Sequence, residues 1–258
     1  MNDFIKYREL MEFRLNYHVG TGKSGEPRYK PCQVFSFHQI PHAIWFEDAL
    51  VHYGVPTVVF DLLLAKAGWT YDMQEPHLIS NAEVDLVTRI VPLPAIDWKL
   101  PLTTDTRLEY APLEDGSSHQ VPFPPLAGLL DALIDSWLDL PSDDSTLLLG
   151  LACQISYLYA HVLALEERSF AEQMKYEHRQ FHFDVRSGME TGTLPFRRHQ
   201  RAIRDALLQG QYELREGSAS RDDPDNIYLF APIGELVAKL VKEKQQSGDT
   251  LESIVKEC

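Results

Sequence analysis

Three groups of side chains in this sequence have types and spacings that could do chemistry, and the first is acidic. Asp61 closes the run GVPTVVFD and Asp85 sits in AEVDLV. Both runs are rich in β-branched and apolar residues, so both read as strands. Carboxylates on neighbouring strands can hold divalent metals, or a cation through paired hydrogen bonds. A two-metal site needs acids at i and i+2 of one strand, where alternate side chains share a face, and a third acid from the neighbour. The i+2 position after Asp61 is Leu63. One carboxylate per strand suits orienting a cation or a hydroxyl better than holding two magnesium ions. Glu47 and Asp48 lie upstream in a helix-like stretch, which cannot replace Leu63 geometrically but can add acids to a pocket.

The second group is a histidine pair. His178 and His182 in YEHRQFHFDV are four apart and stack on one face if the segment is helical. With Glu177 or Asp184 they could hold a metal, but no third ligand is clear, and the expectation is that no metal binds there. Lining a pocket or bonding buried carboxylates is the plainer role, and His182 is a candidate general base. The third group is basic. Arg197, Arg198, Arg201 and Arg204 in PFRRHQRAIRDAL lie at i, i+1, i+4 and i+7, which predicts one helical face. Guanidinium forks on one face suit phosphate or carboxylate, and the alternative is pairing with the chain's own acids.

Other motifs carry less. GTGKSG at 20–25 has Tyr17 where a phosphate loop needs its first glycine, and Gly25, Glu26 and Pro27 follow where that loop needs a helix. No G-x-S-x-G setting marks a nucleophile. Cys32, Cys153 and Cys258 are odd in number and far apart, so neither a zinc knuckle nor a disulfide framework is indicated. No organic cofactor is expected.

The elements that must position these groups change character along the chain. Helix over 3–16, loop over 20–31, strand over 33–37, helix over 42–53 and strands over 57–65 and 82–91 are predicted in the first part. A proline-punctuated connection over 92–125 follows, with a short strand near 107–110. Helices are then predicted over 126–140, 145–176, 196–209, 235–244 and 250–256. The expected fold class is α/β (α+β): a mixed region over 1–125 and an all-helical region over 126–258, packed as one unit. The run 147–165 reads as a buried helix, because Gln154, Ser156 and His161 interrupt it and charges bracket it. A net charge of −14 over 258 residues disfavours a nucleic-acid coat and an anionic-membrane binder, and it suits a small cationic substrate. The charged N-terminus and scattered cysteines predict a reduced, cytoplasmic setting, with no DNA or membrane partner.

A resemblance sharpens these readings. ALVHYGVPTVVFDLLLA resembles the helix–turn–strand entry of nucleotidyltransferase-fold proteins, and AEVDLV resembles the strand carrying their third acid. The resemblance puts Asp61 at the first metal-binding acid and Asp85 at the third. Leu63 stands at the second, and Trp45 and Phe46 stand near the usual glycine pair. IWFEDALVHYGVPTVVFDL, EHRQFHFDVRSGM and TGTLPFRRHQRAIRDALLQGQYELRE together look like a family of small fungal proteins with such a fold. The chain also resembles the arginine-containing cyclodipeptide synthases, which join arginine and a second amino acid from aminoacyl-tRNAs. That resemblance assigns no residue, but it fits features read independently: a pocket of Asp61, Asp85 and Glu47 or Asp48 could hold a guanidinium, and the Arg197–Arg204 helix offers a place for RNA phosphates. Two alternatives are a divergent nucleotidyltransferase using magnesium and a nucleoside triphosphate, and a non-catalytic binding module on a degenerate fold.

Overall fold

The computed structural model describes residues 29–57, 59, 62–66, 78–79, 88–112, 120–141 and 145–230. The helices predicted over 3–16, 235–244 and 250–256, and most of the 20–31 loop, lie outside these residues. Asp61 and Asp85 do too. The chain mixes helices and small sheets and is mostly helical. It divides between Leu165 and Glu166 into two compact units, so the boundary expected at 125/126 falls inside the first.

Two local predictions in the first unit are corrected. Residues 33–37 are not a strand but part of helix α1, Lys30–Phe37. Pro31 starts it, because proline's fixed φ and missing N–H cost nothing in a first helical turn. The helix predicted over 42–53 is two elements, strand β1 (His42–Ile44) and helix α2 (Glu47–His52). Local propensity favours helix here, but Ala43 and Ile44 pair with Ala65 and Leu64 across the sheet, and that pairing decides. Phe46 makes the break, with φ 55 and ψ −129.

The helix does end as the sequence suggested. Gly54 takes φ 86, and the N–H of Val55 reaches back to the Leu50 carbonyl at 3.0 Å. This left-handed cap satisfies the last carbonyls of α2 and turns the chain toward Pro56.

Strand β2 (Leu62–Lys66) runs antiparallel to β1 and parallel to β4 (Thr88–Pro94), with the two-residue β3 (Leu78–Ile79) on the far side of β4. The order β1-β2-β4-β3 makes a small mixed sheet. Strand β4 extends past the end predicted at Val91, in spite of Pro92 and Pro94. These prolines share one parity and lie beyond the stretch paired to β3, where a missing donor is tolerated. Residues 92–125 are less irregular than predicted, since β5 (Glu109–Pro112) and β6 (Gln120–Phe123) form an antiparallel pair.

Helix α3 (Leu126–Asp139) matches its prediction and packs on α4 (Ser145–His161). The core of this unit gathers Trp45, Phe46, Leu64, Leu130 and Leu133, all 1% exposed or less. Phe46 sits edge-on to Trp98 at 4.7 Å. The helix predicted over 145–176 stops at His161. From there Val162 and Leu165 are the buried residues, three apart, and the chain tightens into a three-residue-per-turn helix over Leu163–Glu166. No helix among the described residues is long and apolar enough to cross a membrane.

The second unit opens with tight turns over Arg168–Gln173 and Tyr176–His178. Helix α5 (Arg179–Arg186) and helix α6 (Leu194–Leu208) follow, then an irregular segment and the short helix α7 (Ile227–Phe230). Thr193 caps α6 by accepting from the Phe196 N–H at 3.2 Å, and Pro195 lies in its first turn. Gly210 ends it with φ 68. Phe181 of α5 meets Phe196 of α6 edge-on at 5.3 Å.

Candidate functional site

In the first unit the two described candidate acids, Glu47 and Asp48, lie in the first turn of α2. Asp48 is 2% exposed and accepts a hydrogen bond from the Tyr29 hydroxyl at 2.8 Å. Burial, reinforced by the Asp48 charge, pushes the Cys32 thiol up to about 12, so this cysteine is inert at neutral pH. Glu47 is half-buried one residue earlier, where the helix N-terminus favours an acid. Leu63, the residue at the missing-acid position, pairs with Val91 between β2 and β4. Phe46, at the mouth of α2, holds a backbone conformation that favours glycine.

The C-terminal end of α2 carries a second cluster. Tyr53 donates to the Pro124 carbonyl at 2.5 Å and approaches Glu109 Oε2 at 3.2 Å. His52 stacks flat on Phe123, its centroid 4.0 Å away, and lies 3.7 Å from the same carboxylate. Burial pulls the His52 ring below its ordinary value and Glu109 pulls it back up. Burial and Glu109 both push the Tyr53 phenol up. This cluster fastens α2 to the β5–β6 pair.

In the second unit α5 and the turn before it bury a row of polar side chains. His178, Gln180, His182 and Asp184 are each 0% exposed. Buried polar groups need partners, and these have them. His182 Nε2 lies 3.1 Å from the Glu167 carbonyl, which can only accept, so that nitrogen carries the proton. Burial holds the ring below its ordinary value, with Arg186 and Arg168 adding to the effect.

Asp184 is the hub. Its Oδ1 accepts from Gln180 Nε2 at 2.9 Å and the Ser218 N–H at 2.7 Å. Its Oδ2 accepts from Gln200 Nε2 and the Ser218 hydroxyl, both at 2.5 Å. His199 Nε2 stands 2.7 Å from the same hydroxyl oxygen. Since the hydroxyl proton points to Asp184, the His199 ring donates. No described group of three His, Cys, Asp or Glu could hold a metal ion.

No family model, curated protein or solved structure matches the chain. The placement of each predicted residue therefore rests on geometry alone. The four arginines of α6 do not share an exposed face. Arg197 is 3% exposed, Arg201 and Arg204 are half-buried, and Arg198 is exposed. Arg204 is bonded to Asp205 Oδ1 at 3.3 Å. The helix buries Phe196, Gln200, Ile203 and Leu207 along with Arg197.

Thus Glu47 and Asp48 come together on α2, and the histidines and arginines lie in the second unit. Gln180, Gln200, His199 and Ser218 were missed by the sequence reading. Their only signal is spacing: Gln180 and Asp184 are four apart on one helix face, but a polar helix reads as a surface one.

Proposed function

We propose that the chain is an aminoacyl-tRNA-dependent enzyme that forms a peptide bond, of the arginine-containing cyclodipeptide synthase kind, on a nucleotidyltransferase-like first unit. The observation that carries the reading is the mouth of α2. A helix joins two antiparallel strands of a small mixed sheet, and Phe46 takes a glycine-favouring φ of 55 near the place where the resembled fold keeps its glycine pair. Leu63 at the second acid position speaks against binding two metals and for a pocket that holds a cation. On this reading Asp61 and Asp85, with Glu47 or Asp48, receive the guanidinium through paired hydrogen bonds. RNA phosphates meet the exposed arginines of the second unit, Arg198 first, in brief and salt-sensitive encounters suited to an acidic chain.

The test is production of the chain in a bacterium and mass spectrometry of the medium. A cyclic dipeptide containing arginine is expected, and it should vanish in Asp61→Asn while soluble protein persists. Soluble wild-type protein without any such product overturns the reading. The same sheet supports a second reading, a divergent nucleotidyltransferase. Thermal stabilisation by a nucleoside triphosphate with magnesium, without cyclic product, would favour it.

A further inference from the structure

The segment Gln211–Ser220 follows α6 and has neither helix nor strand. None of its residues is buried, so apolar packing holds it less firmly than it holds α5 or α6. Polar groups fasten it at two points four residues apart on α5, and His199 of α6 reaches the Ser218 hydroxyl at 2.7 Å. The Gln180 side-chain amide pairs with the backbone of Arg215 in both directions: Oε1 accepts its N–H at 2.8 Å, and Nε2 donates to its carbonyl at 3.1 Å. Asp184 takes the N–H and the hydroxyl of Ser218. The exposed Arg168–Glu216 ion pair at 2.9 Å adds a tie at the rim.

These are fastenings that water can replace, unlike buried side chains. Opening would also hydrate the Tyr212 hydroxyl, which lies out of solvent and has no hydrogen-bond partner among the described residues. Segments with few apolar contacts open locally, well below the free energy of global unfolding.

We propose that Gln211–Ser220 is a polar latch. It opens as one unit while α5 and α6 stay folded, and it uncovers the row Gln180, Asp184 and Gln200 as a groove rich in hydrogen-bonding groups. The latch does not rest on the activity proposed above.

Hydrogen exchange on the full chain tests it. The Arg215 and Ser218 amides are expected to exchange together, faster than the amides of α5 and slower than in an unstructured peptide. Ser218→Ala removes the hydroxyl bond to a carboxylate and should speed both amides about 10- to 100-fold, with α5 unchanged. Glu216→Gln, which touches only the exposed ion pair, should speed them no more than about fivefold. If Ser218→Ala fails to fold, the paired exchange in the wild type and the Glu216→Gln response decide the matter. Exchange of the segment at the rate of α5, or at the unstructured rate, or at unrelated rates for the two amides, overturns the latch.

Discussion

At Gln39 the backbone takes φ 54, and the N–H of Ile40 returns to the Phe35 carbonyl at 2.9 Å to close α1. This is the left-handed cap that glycine supplies after α2 and α6. A residue with a Cβ costs about 1–2 kcal/mol there. Gln39 is exposed, so nothing offsets that cost. Gln39→Gly gives back about 0.4–1 kcal/mol of unfolded-chain entropy, leaving a net gain of about 0.5–1 kcal/mol. A higher midpoint in urea is the expected outcome, and a lower one would contradict the strain assignment. Phe46 has a similar φ but a ring buried against Trp98. Removing a buried phenylalanine side chain costs about 3–5 kcal/mol, more than the strain it relieves. Phe46→Gly should therefore destabilise by about 2–3 kcal/mol. The two substitutions move stability in opposite directions although both residues have a positive φ, because packing decides the sign.

Helix α6 shows how far an element could be read in advance. Its ends were legible to within two residues, since Pro195 and Gly210 punctuate it, and the structure adds the Thr193 cap. The direction it faces was not, because periodicity ranks arginines as surface and the fold buries Arg197. The same limit hid the hub on α5, where Gln180 and Asp184 are buried by partners more than fifteen residues away. Long-range pairing also overrode the helical pattern at Ala43 and Ile44, as β2 captured them. For the candidate site, Glu47 and Asp48 were placed together by sequence proximity alone, and the distant ligands of Asp184 had no such guide. Arg197 and Arg198 now separate structure from recognition. Arg197→Glu puts the wrong charge in a buried place and should cost about 3–5 kcal/mol. Arg198→Glu should change stability by less than about 0.5 kcal/mol. If RNA is a partner, Arg198→Glu should weaken binding uniformly across sequences and lower the salt slope by about one. Equal loss of stability in both variants would contradict the burial pattern of α6.

Among the described residues, four histidines are held below their ordinary value, each chiefly by burial: His42, His52, His182 and His199. The charges around them differ. Among the described residues the Ile40 carbonyl favours the protonated form of His42, Glu109 that of His52, and Asp184 that of His199. His182 also has a carbonyl but faces Arg186 and Arg168, which oppose a proton. A ring whose folded value is lowered binds its proton more readily when the chain is unfolded. Its stabilising contribution is complete above about pH 6.5, the unfolded value, and is lost as pH falls from there through the lowered folded value. The acid side of neutrality should therefore loosen both units through these rings. The slope cannot exceed about 1.4 kcal/mol per pH unit for each ring. Urea unfolding at pH 8, 7, 6 and 5 is expected to show falling stability below pH 6.5, with net proton uptake on unfolding at pH 6. His182→Gln should flatten the response of the second unit most, since no carboxylate offsets its burial. Constant stability across that range would mean that these rings titrate alike in both states, which their burial argues against.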